Sequence, residues 1–256
     1  MDEKAFLEEI QGSRIINSGM YEGIFKDFYH ALHSQSDEFD LAFYSMECVP
    51  AKGNILELAC GDGRISIPLI RKGCSFIGVD NSEDQLNELR SHLTEEENER
   101  VQLLNQDVLK LDIAEEIAVA IMPATSISLI GENIEKLEGL FHKIYEQLGE
   151  EGIFMFDYRL FVNDKPSCQR YKMMIKSEEH LVWYFERNDY ASKMSILNVY
   201  IKPSQKDEYY HAISKKRLFM PNEIYVLAEK SGFKIQREDN RVYSDSVVSK
   251  YIVLKK

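Results

Sequence analysis

Apolar and polar positions follow three different rhythms along this chain. From residue 4 to 49 the pattern reads as helical, and Phe25, Phe28 and Tyr29 fall three and four apart on one helical face. Tyr21, Phe39, Phe43 and Tyr44 add to the aromatic content of this stretch. From 53 onward short apolar runs alternate with amphipathic stretches. The runs at 54–59, 74–79, 101–104, 117–122 and 152–157 predict strands, with helices between them near 63–72, 82–93 and 133–148. Ser82, with Gln85 three residues on, predicts a capped start for the second helix, and Gly73 a stop for the first. Such alternation builds βαβ units around a parallel sheet. The acidic run at 94–100 reads as a solvated loop or a fraying helix end.

After Asp157 the pattern changes. Residues 169–176, 180–187 and 194–201 are strand-like, with turns at 176–179 and 188–193, which predicts an antiparallel meander inserted into the main domain. A helix over 221–230, with Pro221 in its first turn, and strands at 233–238 and 247–254 close the chain. The expected division is a helical lid over 1–50, a core over 51–160, the insertion over 161–218, and a C-terminal part of the core over 219–256.

Composition narrows the partners. The 256 residues carry a net charge of -12, which argues against a nucleic-acid partner, because phosphate binding rests on Lys and Arg. Cys48, Cys60, Cys74 and Cys168 form no CxxC pair, so neither a zinc site nor a redox motif is expected and no metal is assigned. Free thiols fit a reducing cytoplasm. The charged start, Met1-Asp2-Glu3-Lys4, predicts no signal peptide. No apolar stretch approaches the ~20 residues of a membrane span.

The chemistry concentrates at 54–64, where a buried strand with Glu57 inside it runs into Gly61-Asp62-Gly63 and then a helix. The glycines let a backbone approach a ligand where a Cβ would clash. The next strand ends on Asp80, placed to accept two ribose hydroxyls. A dinucleotide fits poorly. The third glycine of that fingerprint is Ser66 here, and Asp62 would set a carboxylate beside a pyrophosphate. A ligand with a ribose and a positive charge removes the conflict.

With these motifs the chain resembles the class I, Rossmann-like S-adenosylmethionine (SAM)-dependent methyltransferases over roughly residues 40–160. Residues 57–64 resemble their first motif and 78–82 the second. Asn105-Gln106-Asp107-Val108 is similar to the segment after the third strand, where an Asp takes the adenine amino group, and 148–154 to the turn into the fifth. Residues 122–128, with Pro123, match the fourth-strand exit, which lines the methionine side and the substrate. The resemblance implies an α/β fold: a seven-stranded, mostly parallel, doubly wound sheet of order 3-2-1-4-5-7-6 with its last strands antiparallel. It also implies SAM as cofactor, held by Tyr44, Glu57, Ala59, Gly61, Gly63, Asp80, Asn81, Gln85, Gln106, Asp107, Val108 and Pro123. Tyr44 would meet the methionine carboxylate. Gln85 departs from the apolar residue many relatives carry under the adenine.

The acceptor is expected to be an amine nitrogen of a small molecule or short peptide. The fourth-strand exit lacks the Asn/Asp-Pro-Pro-aromatic signature of nucleic-acid amino-methyltransferases. An O-methyltransferase of a small metabolite and a non-catalytic SAM-binding protein remain alternatives. Trp183, Tyr184 and Tyr200 are read as one wall of a substrate platform, and the same insertion as a homodimer surface. Tyr29, His30 and Tyr158 are the catalytic candidates. Tyr158-Arg159 is expected at the pocket mouth, and His33, His180, His211 and His142 rank behind His30.

Overall fold

The computed structural model describes residues 2–33, 37–130, 134–161, 166–220, 222–244 and 247–256, with His33, Asp37, Tyr243 and Ser244 described through their backbone alone. In chain order the elements are α1 (Glu3–Glu9), β1 (Arg14–Asn17), α2 (Gly23–His33), α3 (Asp37–Cys48), β2 (Asn54–Leu58), α4 (Ser66–Arg71), β3 (Ser75–Asp80), α5 (Glu83–Ser91), α6 (Glu95–Asn98), β4 (Val101–Asn105) and β5 (Ile117–Met122). They continue with α7 (Ile134–Gln147), β6 (Leu148–Phe161), β7 (Ser167–Ile175), β8 (Glu178–Asp189), β9 (Met194–Pro203), β10 (Glu208–Arg217), α8 (Glu223–Lys230), β11 (Lys234–Ser244) and β12 (Val247–Lys255). They fall into two units, one of residues 1–37 with 163–218 and one of 38–162 with 219–256.

The larger unit is an α/β sheet of seven strands in the order β11-β12-β6-β5-β2-β3-β4. Numbered along the chain within the sheet, this is the 3-2-1-4-5-7-6 order implied above. One detail differs. Both pairings of β12 are antiparallel, so β12 alone runs against the others and β11 runs with them. Helices cover both faces. On α7, Leu137, Leu140, Phe141 and Ile144 are buried at the three-and-four spacing that aims one helical face at a sheet. Phe141 meets Phe154 and Phe156 edge-on at 5.2 and 5.6 Å. On the opposite face Phe43, Tyr44 and Cys48 of α3 pack with Leu69 and Ile70 of α4 against Ile55, Ile121 and Tyr251. The acidic run at 94–100 is more ordered than expected. Thr94 accepts from Glu97 N at 3.2 Å while Glu97 Oε2 accepts from Thr94 N at 2.8 Å, a reciprocal cap that starts α6.

The smaller unit holds a five-stranded sheet in the order β1-β10-β9-β8-β7. Two of its strands differ from the sequence expectation. Residues 14–17 lie in the stretch read as helical, yet they pair in parallel with β10. β10 itself, Glu-Tyr-Tyr-His-Ala-Ile-Ser-Lys-Lys-Arg, is too polar to announce a strand, but it pairs antiparallel with β9 from Tyr210 to Arg217. The aromatic wall is also corrected, because successive strand residues point to opposite faces. Trp183 and Tyr200 pack under Phe6 of α1, at ring distances of 5.0 and 4.9 Å. Tyr184 faces Phe28 of α2 at 5.8 Å on the other side. Pro221 lies outside the described residues, and α8 begins after Asn222. Among the described residues no helix is long and apolar enough to cross a membrane.

Candidate cofactor site

β2 is the point where the sheet order reverses, with β3 on one side and β5 on the other. In open α/β sheets the loops leaving such a switch point diverge at its carboxyl edge, where the ligand crevice usually lies. The loop after β2 is built from left-handed residues: Ala59, Gly61 and Gly63 have φ of 57°, 55° and 94°. Backbone bonds stitch it to β3, with Cys60 N donating to Val79 O at 3.1 Å. A Cβ at Gly63 would stand 2.8 Å from Ile67 Cγ1 and Leu89 Cγ, so this position is fixed by packing. A Cβ at Gly61 would meet nothing nearer than Gln85 Oε1 at 4.0 Å, so this position is open.

Asp80 organises the crevice. Its Oδ2 accepts from Gly61 N and its Oδ1 from Ser82 N, both at 2.9 Å. A carboxylate offers about four acceptor directions, so capacity remains for two hydroxyls of a diol. Gln106 N donates to Asp80 O at 3.0 Å, which brings the β4 exit alongside. There Asp107 is exposed and caps a short turn through Leu109 N at 3.0 Å. Gln106 is tied by its side-chain amide to the backbone of Asp112 at 3.3 and 3.4 Å. Val108 is buried below, Asn81 is exposed beside Asp80, and Gln85 is half-buried on the first turn of α5. The loop after β2, the end of β3, the first turn of α5 and the β4 exit thus bring Ala59, Gly61, Gly63, Asp80, Asn81, Gln85, Gln106, Asp107 and Val108 to one edge.

A buried ionic layer lies behind the loop. Glu57 accepts from Ser66 Oγ at 2.7 Å, tying β2 to the start of α4. Burial raises the Glu57 carboxyl to about 8, so it is largely neutral near pH 7 and orders the turn as a hydrogen-bonding group. Burial also pushes the Cys60 thiol up. Asp40 of α3 accepts from Arg64 Nη1 at 3.0 Å and from Tyr251 Oη at 2.6 Å. Tyr44, one turn on, is fully buried and donates to Asp157 Oδ1 at 2.8 Å. Its hydroxyl is raised by burial and by the charge of Asp157. Asp157 Oδ2 accepts from Thr125 N at 2.9 Å, in the turn that follows Pro123. Pro123 is buried, and its carbonyl accepts from Ser126 Oγ at 2.6 Å.

The catalytic candidates lie on other elements. Tyr158 is corrected in position: β6 continues to Phe161, so Tyr158 lies within the strand and not at a mouth. It is fully buried, 5.4 Å from Phe219, and its hydroxyl has no hydrogen-bond partner among the described residues. Tyr29 and His30 lie on α2 in the smaller unit. Tyr29 packs against Tyr21 and Phe28, and His30 is exposed. His180 is buried with Nδ1 2.9 Å from Glu178 O, and His211 is stacked 4.3 Å from Tyr200. His142 is exposed on α7, and the side chain of His33 lies outside those described. Sequence reasoning assigned no individual role to Asp40, Arg64, Thr125 or Asp157, although Arg64 fell inside the first motif and Thr125 inside the fourth-strand exit. The only hint was an acid, Asp157, directly after the apolar run 153–156.

The donor set suits SAM: acceptors for a ribose diol and an amino group, an open Gly61, and acids instead of the cations a pyrophosphate would need. The comparisons with known proteins support a SAM-dependent methyltransferase, an enzyme whose cofactor is SAM, on a Rossmann-like fold. Residues 55–152 match the family model described as a methyltransferase domain. The chain is 23% identical over 221 residues to the putative methyltransferase YqeM of Bacillus subtilis, covering 85% of this chain and 88% of that one. Two solved structures share the fold. The SAM-bound amino pentose methyltransferase CalS10 of Micromonospora echinaspora superposes with a TM-score of 0.72 at 10% identity, covering 91% and 98% of the two chains. The sugar N-methyltransferase KedS8 of Streptoalloteichus gives a TM-score of 0.69 at 11% identity, covering 88% and 91%.

Proposed function

We propose that this methyltransferase acts on an amine nitrogen of a small molecule or short peptide. The observation that carries the reading is the acidic edge. Asp62, Asp80 and Asp107 lie on its loops and Asp40 and Asp157 behind them, while Arg64 is paired with Asp40. An edge of this sign favours cationic ligands, which include both SAM and a protonatable amine. The similarity to CalS10 and KedS8 runs over about nine-tenths of the chain, so it extends beyond the shared core; those two are named for acting on amino sugars or sugar nitrogens.

In this reading Asp80 takes the ribose diol and Asp107 the adenine amino group. Gly61 admits the backbone to the ligand, and Asn81, Gln85, Gln106 and Val108 line the nucleoside. Glu57, Ala59, Gly63, Tyr44 and Pro123 hold the loops that do so. The cofactor supplies an electrophilic methyl on a sulfonium; the protein's part is to bring a neutral nitrogen in line with it, chiefly proximity and orientation. A neutral amine needs no strong base, which leaves Tyr29 and His30 as residues that position or deprotonate the acceptor. The five-stranded sheet is the proposed acceptor platform or homodimer surface.

A test is release of S-adenosylhomocysteine against a panel of amines and matched alcohols. Turnover with amines, rising with pH as the amine deprotonates, supports the reading. Turnover of alcohols with every amine inert overturns it.

A further inference from the structure

The exit of β5 carries a backbone feature that local sequence does not explain. Ala124 and Thr125 sit consecutively at φ of 62° and 57°, a left-handed pair without a glycine. Each such residue costs about 1–2 kcal/mol in isolation, so the pair persists only where its surroundings hold it. What holds it is Asp157. Its Oδ2 accepts from Thr125 N at 2.9 Å, and its Oδ1 is fixed by Tyr44 Oη at 2.8 Å. Ser126 N, donating to Pro123 O at 3.2 Å, closes the same turn. The turn stands next to the glycine loop, because Ile121 of β5 pairs with Glu57 of β2.

We propose that Asp157 is a positioning residue whose carboxylate locks the 123–126 turn into the form that receives the cofactor, and that protonating it releases the turn. The proposal rests on the reading that this edge binds SAM. A carboxylate accepts both bonds at once with charge assistance; once protonated, the bond from Thr125 N becomes an ordinary neutral one, or is lost outright where the proton sits on Oδ2.

The groups facing Asp157 are Asp40 and Tyr44 from α3 and Arg64 from the loop after β2. Tyr251 of β12 and Arg241 of β11 reach it through Asp40, at 2.6 and 3.9 Å from that residue. Burial, and then the charge of Asp40, raise Asp157 to about 6, against the pull of Tyr44, Thr125 N and Arg64. Two consequences have opposite sign. Because the folded value lies above the ordinary 3.8, the contribution of Asp157 to global stability is full below about pH 4 and is lost as pH rises through about 6. The locked turn does the reverse, forming as pH rises through the same range.

The experiment is a SAM titration of the full chain between pH 5 and 8, with the Thr125 amide followed by NMR over the same range. With about one molecule in eleven ionised at pH 5, apparent SAM affinity falls about tenfold from its value at pH 8. The Thr125 amide shifts with the same midpoint, while the melting temperature does not fall in step. Asp157→Asn binds SAM weakly and without pH dependence in this range. A Thr125 amide that does not titrate in the wild-type chain overturns the proposal whether or not the variant folds, as does an unchanged pH profile in Asp157→Asn. If the wild type binds no SAM at any pH yet Thr125 titrates, the cofactor reading fails and the lock stands.

Discussion

Gly61 and Gly63 stand two residues apart in one loop, and replacing each with alanine has different consequences. At Gly63 the backbone φ of 94° is a conformation L-residues avoid, and the new Cβ would stand 2.8 Å from Ile67 Cγ1 and Leu89 Cγ. Leu89 is fully buried, so it has nowhere to withdraw. Left-handed strain of about 1–2 kcal/mol and overpacking of about 1–3 kcal/mol give a loss of about 2–5 kcal/mol of fold stability. At Gly61 the φ of 55° is one that Ala59 already adopts at 57° in the same loop. The nearest atom to a Cβ there is 4.0 Å away, so only the strain applies, about 1–2 kcal/mol. That Cβ instead stands in the crevice, where it keeps the ligand off the backbone. Urea denaturation and SAM titration of both variants separate the effects. Gly63→Ala loses stability first. Gly61→Ala stays folded and loses at least tenfold in affinity, about 1.4 kcal/mol. Full SAM affinity in Gly61→Ala, or equal stability of the two variants, would refute the reasoning.

Other positions give independent checks. Tyr158→Phe removes a buried hydroxyl without a partner, so it is expected to leave stability unchanged or raise it by about 1 kcal/mol in urea denaturation; a loss above that size would reveal a bond the structure does not contain. For Glu57 the folded value, about 8, lies above the ordinary 4.5, so its stabilising contribution is full at low pH and is lost as pH rises through 8. The wild type therefore weakens from pH 6 to 9, and Glu57→Gln, which is neutral throughout, flattens that decline; parallel curves for the two would mean that Glu57 is not buried as described. Tyr44→Phe leaves Asp157 one donor short, at a cost of about 1.5–3 kcal/mol for a bond to a charged group, read by the same denaturation. No change would place Asp157 in its neutral form at the pH of the assay.

The legible parts of the chain were those where local pattern and tertiary environment agree. Strands β2, β3, β4 and β5 are largely apolar runs of five or six residues, so a window of six residues was enough to find them. The crevice at 59–63, 80 and 105–108 was legible because a turn, a strand end and an acid recur at fixed distance from each run. β10 was missed because its pairing with β9, not its own composition, makes it a strand. Residues 14–17 were missed because four residues at a sheet edge leave no period to read. Trp183 and Tyr184 were grouped by composition although neighbours on a strand face opposite ways. The lock at Asp157 was invisible for a different reason. It joins α3, β6 and the β5 exit across 113 and 32 residues of sequence, and nothing local marks those bonds.

The most direct measurement is a calorimetric titration of the purified chain with SAM and, in parallel, with NAD, repeated on Asp80→Ala. SAM binds the wild type, and the variant binds it about 1–3 kcal/mol more weakly, through the lost hydrogen bonds to the ribose. NAD gives no comparable heat. Tight NAD binding with no response to SAM, or SAM affinity untouched by Asp80→Ala, would contradict the assignment of this edge.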